Sequence, residues 1–235
     1  LKFNRNIDAP MIVKMPTDEV EQARQKLLRG IKTFSAEIFP EKKEAYERVI
    51  RDGQNPHTLF ITCADSRIEP AAITQSEPGD IFVSRNIGNL VPAYGEMLGG
   101  ISAVIEYAVA ALEVKQVVIC GHSDCGAMKA LLNPAQVAKL PTVRSWLRNA
   151  EAALSVTEAL RQDKGEAVGL EELIEQNVLL QLNHLKTHPS IAGKLALGKL
   201  GLSGWVYDIA RGSVSIYNEE TGKFELASVP GQADA

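Results

Sequence analysis

The sequence predicts an α/β fold: a central, mostly parallel β-sheet flanked by helices, with an N-terminal helical arm and a C-terminal antiparallel edge strand or hairpin. Three observations predict it. Short apolar, β-branched runs at Thr58–Cys63, 80–84 and 116–120 alternate with helical patterns, the rhythm of β-α-β units with right-handed crossovers. The first and third of these runs are apolar almost throughout, as strands covered on both faces are. Near the end, Ser213–Asn218 and 223–227 alternate in polarity and are joined by Glu220-Thr221-Gly222, which reads as an antiparallel hairpin.

A chain of 235 residues with 45% hydrophobic and 23% charged content can bury a single α/β core. We read one domain over 1–235, with an arm and helices at 1–53 and the α/β core at 54–235. The 25 basic and 29 acidic residues give a net charge of −4 and form no basic block, which speaks against nucleic acid as a partner. No apolar run approaches the ~18–20 residues of a membrane span, so no membrane is expected. Residues 1–14 hold no apolar core followed by a small-residue cleavage site, so no secretory leader is read there. The three cysteines are too few, and odd in number, for a disulfide framework, and they fit a reducing cytoplasm.

The elements follow in order. Residues 1–16, with Pro10 and Pro16, read as an irregular arm. Thr17-Asp18-Glu19 offers a cap and an acidic first turn to a helix carrying Val20, Ala23, Leu27, Ile31 and Phe34 at helical spacing, softened at Gly30. Pro40 opens a second helix with Ala45, Val49 and Ile50 inward, and Gly53 ends it. After the first strand, Pro70 begins a short helix and Pro78-Gly79-Asp80 turns the chain into the second strand. Asn86-Ile87-Gly88-Asn89 leaves that strand as a loop. The run 101–112 is charged only at Glu106 and reads as a buried helix. The third strand breaks at Gly121, and a helix follows from about Asp124 to Asn133-Pro134. Residues 140–162 and Leu170–Lys186 are long helical patterns, 190–199 a short one, and 204–209 a fourth strand. The tail from Gly231 frays.

The chemistry concentrates where two of the strands end. Cys63 closes the first, and His122 and Cys125 follow the third. Ligand sites in such sheets lie beyond the carboxyl ends of the strands. Two thiols and an imidazole are ligands that zinc prefers, and three with no fourth candidate is the pattern of a catalytic rather than a structural site. The competing reading makes Cys63 and Cys125 buried apolar thiols; Cys120, inside the strand, is read as core. Asp65 and Arg67 stand two and four residues after Cys63. Beside a metal, such a carboxylate can orient a bound water while the guanidinium holds it ionised. Elsewhere they would be a surface ion pair worth ~0–1 kcal/mol. His57, His184 and His188 are read as packing or surface residues.

Three motifs taken together, Cys63-Ala64-Asp65-Ser66-Arg67, Arg85-Asn86-Ile87-Gly88-Asn89 and Gly121-His122-Ser123-Asp124-Cys125-Gly126, resemble those of the β-class carbonic anhydrases, over about residues 50–220. The resemblance implies one Zn²⁺ per subunit on Cys63, His122 and Cys125, with Asp65 and Arg67 as the catalytic dyad. It implies reversible hydration of CO₂ to bicarbonate by zinc-bound hydroxide, and a homodimer or larger assembly, up to a tetramer or beyond. The plant-like, non-allosteric subgroup lines its pocket with residues that fall here on Gln54, Phe82, Ile87 and Tyr107, partly supplied by the partner subunit, and Gly126 NH contributes. Without the family, Phe82, Ile87 and Tyr107 are core positions. A bicarbonate-inhibited subgroup carries Trp and Gly where this chain has Phe60 and Thr62, so an open site is expected. Hydrolysis of CS₂ or COS on the same residues, and a non-catalytic zinc scaffold, are the competing functions.

Overall fold

The computed structural model describes residues 17–96, 99–165 and 167–227, in two compact units divided after Arg48. The irregular arm at 1–16 and the tail from Gly231 lie outside the described residues. The first unit is helical. Thr17 caps α1 (Asp18–Thr33), its Oγ1 accepting from Val20 N–H at 3.4 Å. Gly30 does not interrupt this helix, and Pro40 does not open the next one. Instead a π turn at Phe34–Ile38 leads into α2 (Phe39–Asp52), the Phe39 N–H donating to Phe34 O. Proline has no N–H to continue the regular ladder, and the wider turn just before it accommodates the mismatch. Gly53, in the left-handed region, follows the end of α2 as expected. Ala45 and Val49 share a helical face, whereas Ile50, the next residue round, is 80% exposed rather than inward.

The second unit is built on a six-stranded sheet in the order β2-β1-β3-β4-β5-β6. The strands are β1 (Thr58–Cys63), β2 (Ile81–Asn86), β3 (Gln116–His122), β4 (Gly201–Asp208), β5 (Ser213–Asn218) and β6 (Lys223–Leu226). The first four run parallel, and β4, β5 and β6 pair antiparallel, so the predicted mixed sheet and terminal hairpin are both present. Every residue of β1 is buried, because the strand is central and covered on both faces. Leu59 and Ile61 join one apolar cluster with Val117, Ile119, Ile105 and Val109. Phe60 points the other way, into a cluster with Val118 and Cys120, where Trp205 meets its ring edge-on at 5.7 Å. Each such fully buried large apolar side chain contributes roughly 1.5–3 kcal/mol relative to exposure.

The crossovers are helical. α3 (Pro70–Thr74) follows β1; α4 (Gly100–Glu106) and a π turn at Tyr107–Ala111 precede β3; α5 (Gly126–Leu132) follows it. Then come α6 (Pro141–Leu147), α7 (Glu151–Lys164), α8 (Leu170–Lys186) and α9 (Pro189–Ala196). Among the described residues no helix is long and apolar enough to cross a membrane.

Two further expectations need correction. Gly121 does not break β3, which continues to His122. A Cβ at Gly121 would stand 2.8 Å from Val178 Cγ2, and one at Gly204 2.8 Å from Val178 Cγ1. These glycines therefore let α8 lie flat on β3 and β4. The run 101–112 is only half-buried: Ser102, Ile105, Ala108 and Val109 face the core, while Glu106, Tyr107, Ala110 and Ala111 are exposed. Alanine and tyrosine tolerate water, so a lack of charge did not mean burial on every side.

Candidate metal centre

Parallel register brings the ligands together. Thr62 stands opposite Cys120, so β1 and β3 end side by side. Cys63 closes β1, His122 closes β3, and Cys125 caps the N-terminus of α5. Their ligand atoms lie within 4.8 Å of one another, and all three residues are buried. His122 Nδ1 sits 2.8 Å from Ser123 O. A carbonyl only accepts, so Nδ1 carries the proton and Nε2 offers its lone pair. That Nε2 is buried without a protein partner. An orphaned acceptor beside two thiols is costly unless a cation takes it.

The thiols respond to each other. Cys63 is held well below the ordinary thiol value, first by the hydrogen bond from Cys125 and further by the Gly88 N–H, which reaches its Sγ at 3.4 Å. Cys125 is the donor beside that thiolate, and its pKa is pushed up accordingly. A sulfur, sulfur, nitrogen set on closed ground fits zinc by donor type. Cys120 is different in kind: wholly buried in the sheet, its thiol is pushed up to about 12 by desolvation.

Beside the triad stands a carboxylate–guanidinium fork. Arg67 Nε donates to Asp65 Oδ1 at 2.9 Å and Nη2 to Oδ2 at 2.8 Å, and the Arg67 N–H adds a bond to Oδ1 at 3.0 Å. These bonds hold the Asp65 carboxyl well below the usual carboxylate range. Asp65 Oδ2 lies 4.0 Å from His122 Nε2, at the rim of the triad. The backbone between Cys63 and Asp65 is clamped by Arg85, which donates to Cys63 O at 3.2 Å and Asp65 O at 2.6 Å.

The sequence-predicted pocket residues divide into two groups. Ile87, 43% exposed, precedes the glycine bound to Cys63, and the exposed Gly126 follows Cys125, so both border the triad. Phe82 stands opposite Leu59, four residues or about 13 Å up the strand from Cys63. Tyr107 lies beside Phe82, their rings 6.0 Å apart, and Gln54 precedes β1 altogether. Within one chain these three are at the other end of the sheet from the ligands. Phe60 and Thr62 are buried, and Thr62 Oγ1 donates to Cys120 O at 2.9 Å. The remaining histidines brace backbone or side chain: His184 and His188 donate to Val91 O and Pro92 O, and His57 bonds Thr58 Oγ1.

Sequence reasoning missed the frame around Gly88. Trp146 Nε1 donates to Ile87 O at 2.8 Å, Asn177 to Gly88 O at 3.1 Å, and Gln181 Oε1 accepts from Val91 N–H at 2.8 Å. Asn177 and Gln181 bond each other and are fully buried on the inner face of α8. The available signal was two amides four residues apart on an otherwise apolar face, which must be satisfied from outside the helix. Gly88 has φ +77°, and a Cβ there would stand 2.9 Å from Ala127 Cβ in α5. We expect Gly88→Ala to destabilise the metal-free protein by about 2 kcal/mol. It should also weaken metal binding, since α5 carries Cys125; urea unfolding and metal titration would check both, and unchanged values in both would refute this frame.

Known proteins are similar to this chain. A family model described as carbonic anhydrase matches residues 58–214. The chain is 42% identical over 219 residues to a Pseudomonas aeruginosa carbonic anhydrase, covering 89% of this chain and 99% of that one. It is 46% identical over 207 residues to carbonic anhydrase 1 of Escherichia coli O157:H7, covering 88% and 94%. Among solved structures, the β-carbonic anhydrase CcaA superposes with a TM-score of 0.82 at 40% identity, over 87% of this chain and 100% of that one.

Proposed function

The chain belongs to the β-class carbonic anhydrases, and on that premise we propose that it catalyses reversible hydration of CO₂ with one Zn²⁺ held by Cys63, His122 and Cys125. The observation that carries this reading is the orphaned His122 Nε2 facing two thiols, with an ionised Asp65 4.0 Å away. Zinc, when bound, supplies a water acidified toward neutrality as the nucleophile. Asp65 would accept a hydrogen bond from the nucleophilic water and so fix its orientation toward the substrate carbon. Arg67 keeps Asp65 charged and in place. Ile87 and the Gly126 N–H border the substrate's side of the site.

The rest of the wall comes from a second copy of the chain. Gln54, Phe82 and Tyr107 lie away from their own ligands, and the exposed face of Tyr107 with Phe82 suits an apolar linear molecule across a dimer interface. Assembly beyond the dimer, up to a tetramer, is supported by two related β-carbonic anhydrases of Sordaria macrospora that are tetrameric. A reducing cytoplasm suits the protein, because a Cys63–Cys125 disulfide would abolish the ligand set.

Purified protein reconstituted with zinc should bind one ion per chain and accelerate CO₂ hydration in stopped flow. The rate should rise toward alkaline pH, because two thiolates donate more charge than imidazoles and leave the metal a weaker acid. A rate no faster than buffer would end the enzyme reading, and H₂S release from CS₂ without CO₂ hydration would transfer the site to that substrate.

A further inference from the structure

Arg67 does more than grip Asp65. Its Nη1 donates to Asp124 Oδ2 at 2.9 Å, and its Nη2 also lies 3.4 Å from Asp124 O. Asp124 sits between the ligands His122 and Cys125, on the other strand exit. Its backbone is in the left-handed region, φ +60°, a conformation that side chains other than Gly, Asn and Asp resist. Its second oxygen, Oδ1, is taken by Lys129 Nζ from α5. Four groups therefore alternate in sign from the triad outward: Asp65, Arg67, Asp124, Lys129.

From this geometry we propose that Asp124 is a positioning residue, which fixes the plane of the Arg67 guanidinium and through it the orientation of Asp65. The inference rests on the carbonic anhydrase reading of this site. The physical reason is that a fork donating through Nε and Nη2 can pivot about its carboxylate partner. A third contact, from a different loop, removes that freedom. Lys129 balances Asp124, so the extra carboxylate does not draw Arg67 away from Asp65. The contact also ties the loop after β1 to the loop after β3, so each half of the ligand set is referenced to the other.

The test uses Asp124→Gly in the full-length, zinc-loaded protein. Glycine accepts φ +60° without strain, so the variant removes the carboxylate and leaves the backbone content. We expect zinc content to stay at the wild-type level, KM to change little, and kcat to fall about three- to tenfold, as loss of a solvent-accessible orienting contact implies. Placing Asp124→Gly in an Arg67→Lys background should then cost little more, because the carboxylate acts through the guanidinium fork. A crystal structure of Asp124→Gly should show Arg67 displaced from its present plane. Should Asp124→Gly fail to hold zinc, Asp124→Ala, which also removes both acceptors and leaves the loop less free than glycine does, decides by the same kcat and double-variant readouts. A wild-type kcat, an equal loss in the Arg67→Lys background, or an Arg67 that superposes on its present position would each overturn the proposal. An inactive wild-type protein would instead count against the carbonic anhydrase reading itself.

Discussion

Cys63→Ser is expected to take metal content from one zinc per chain to near zero and to abolish CO₂ hydration with it. Serine matches cysteine closely in shape and keeps an acceptor for the Gly88 N–H, which now reaches Cys63 Sγ at 3.4 Å. What it lacks is the acidity. The hydrogen bonds from Cys125 and the Gly88 N–H hold the Cys63 thiol well below its ordinary value, so it gives up its proton to zinc readily. A serine hydroxyl beside the same groups stays neutral and offers a hard oxygen in place of a soft thiolate. The remaining His122 and Cys125 are two ligands, one short of the three protein ligands a catalytic zinc keeps. The loss should also appear as stability. Zinc at a thousandfold excess over its dissociation constant would raise the wild-type unfolding free energy by about 4 kcal/mol. The variant should show no zinc-dependent rise, while its metal-free form unfolds near the metal-free wild type. Cys120→Ser is the control: that thiol lies in the sheet under Trp205 and touches none of the ligands, so zinc should remain. Metal analysis and urea unfolding, with and without zinc, read all of this. A Cys63→Ser protein that kept its zinc would remove Cys63 from the ligand set.

The sheet was legible in the sequence because burial on both faces writes itself as apolar runs, and β1 and β3 are such runs. The ligand triad was legible for a related reason. Parallel strands end together, so thiols and an imidazole at two strand exits are brought to one place by topology alone. Boundaries were less legible. Gly121 looked like a strand end because glycine weakens strands, yet its missing side chain answers Val178 of α8, a contact no local window contains. The π turn before Pro40 was hidden because a proline signals a helix start as readily as a distortion. Ile50 failed by one helical step of about 100°. The pocket wall shows the limit most clearly. Phe82 and Tyr107 were expected near the metal, but the register puts Phe82 opposite Leu59, so within one chain they stand away from the ligands. Asn177, Gln181 and Trp146, which hold the loop at Gly88, act over separations that only the fold creates.

Asp65→Asn should have the second-largest effect and the opposite signature: zinc retained, rate lost. None of the three ligands bonds the Asp65 side chain, whose oxygens are engaged by Arg67 at 2.8 and 2.9 Å. That engagement also argues for an open site, since a carboxylate committed to Arg67 is not available as a fourth ligand. In the variant, an amide nitrogen replaces one oxygen and faces the donors of Arg67, so half of the fork becomes donor against donor. Whichever position the nitrogen takes can no longer accept, so either the grip of Arg67 or the bond from the incoming water is lost, and the nucleophile loses its orientation. Positioned proton acceptors contribute typically 10²–10⁴-fold, and we expect kcat to fall about a hundredfold. The pH profile separates this from a general loss of folding. Arg67 holds the Asp65 carboxyl below the usual carboxylate range, so its charge is present throughout neutral and alkaline pH and is lost only when pH falls below that range. The alkaline rise in rate therefore belongs to another group, the water activated at the metal. Asp65→Asn should lower the whole profile without moving its midpoint, while metal analysis still gives one zinc per chain. A shifted midpoint at full height would assign Asp65 to tuning acidity instead of orienting the nucleophile, and a crystal near neutral pH with Asp65 on the zinc would contradict the open site.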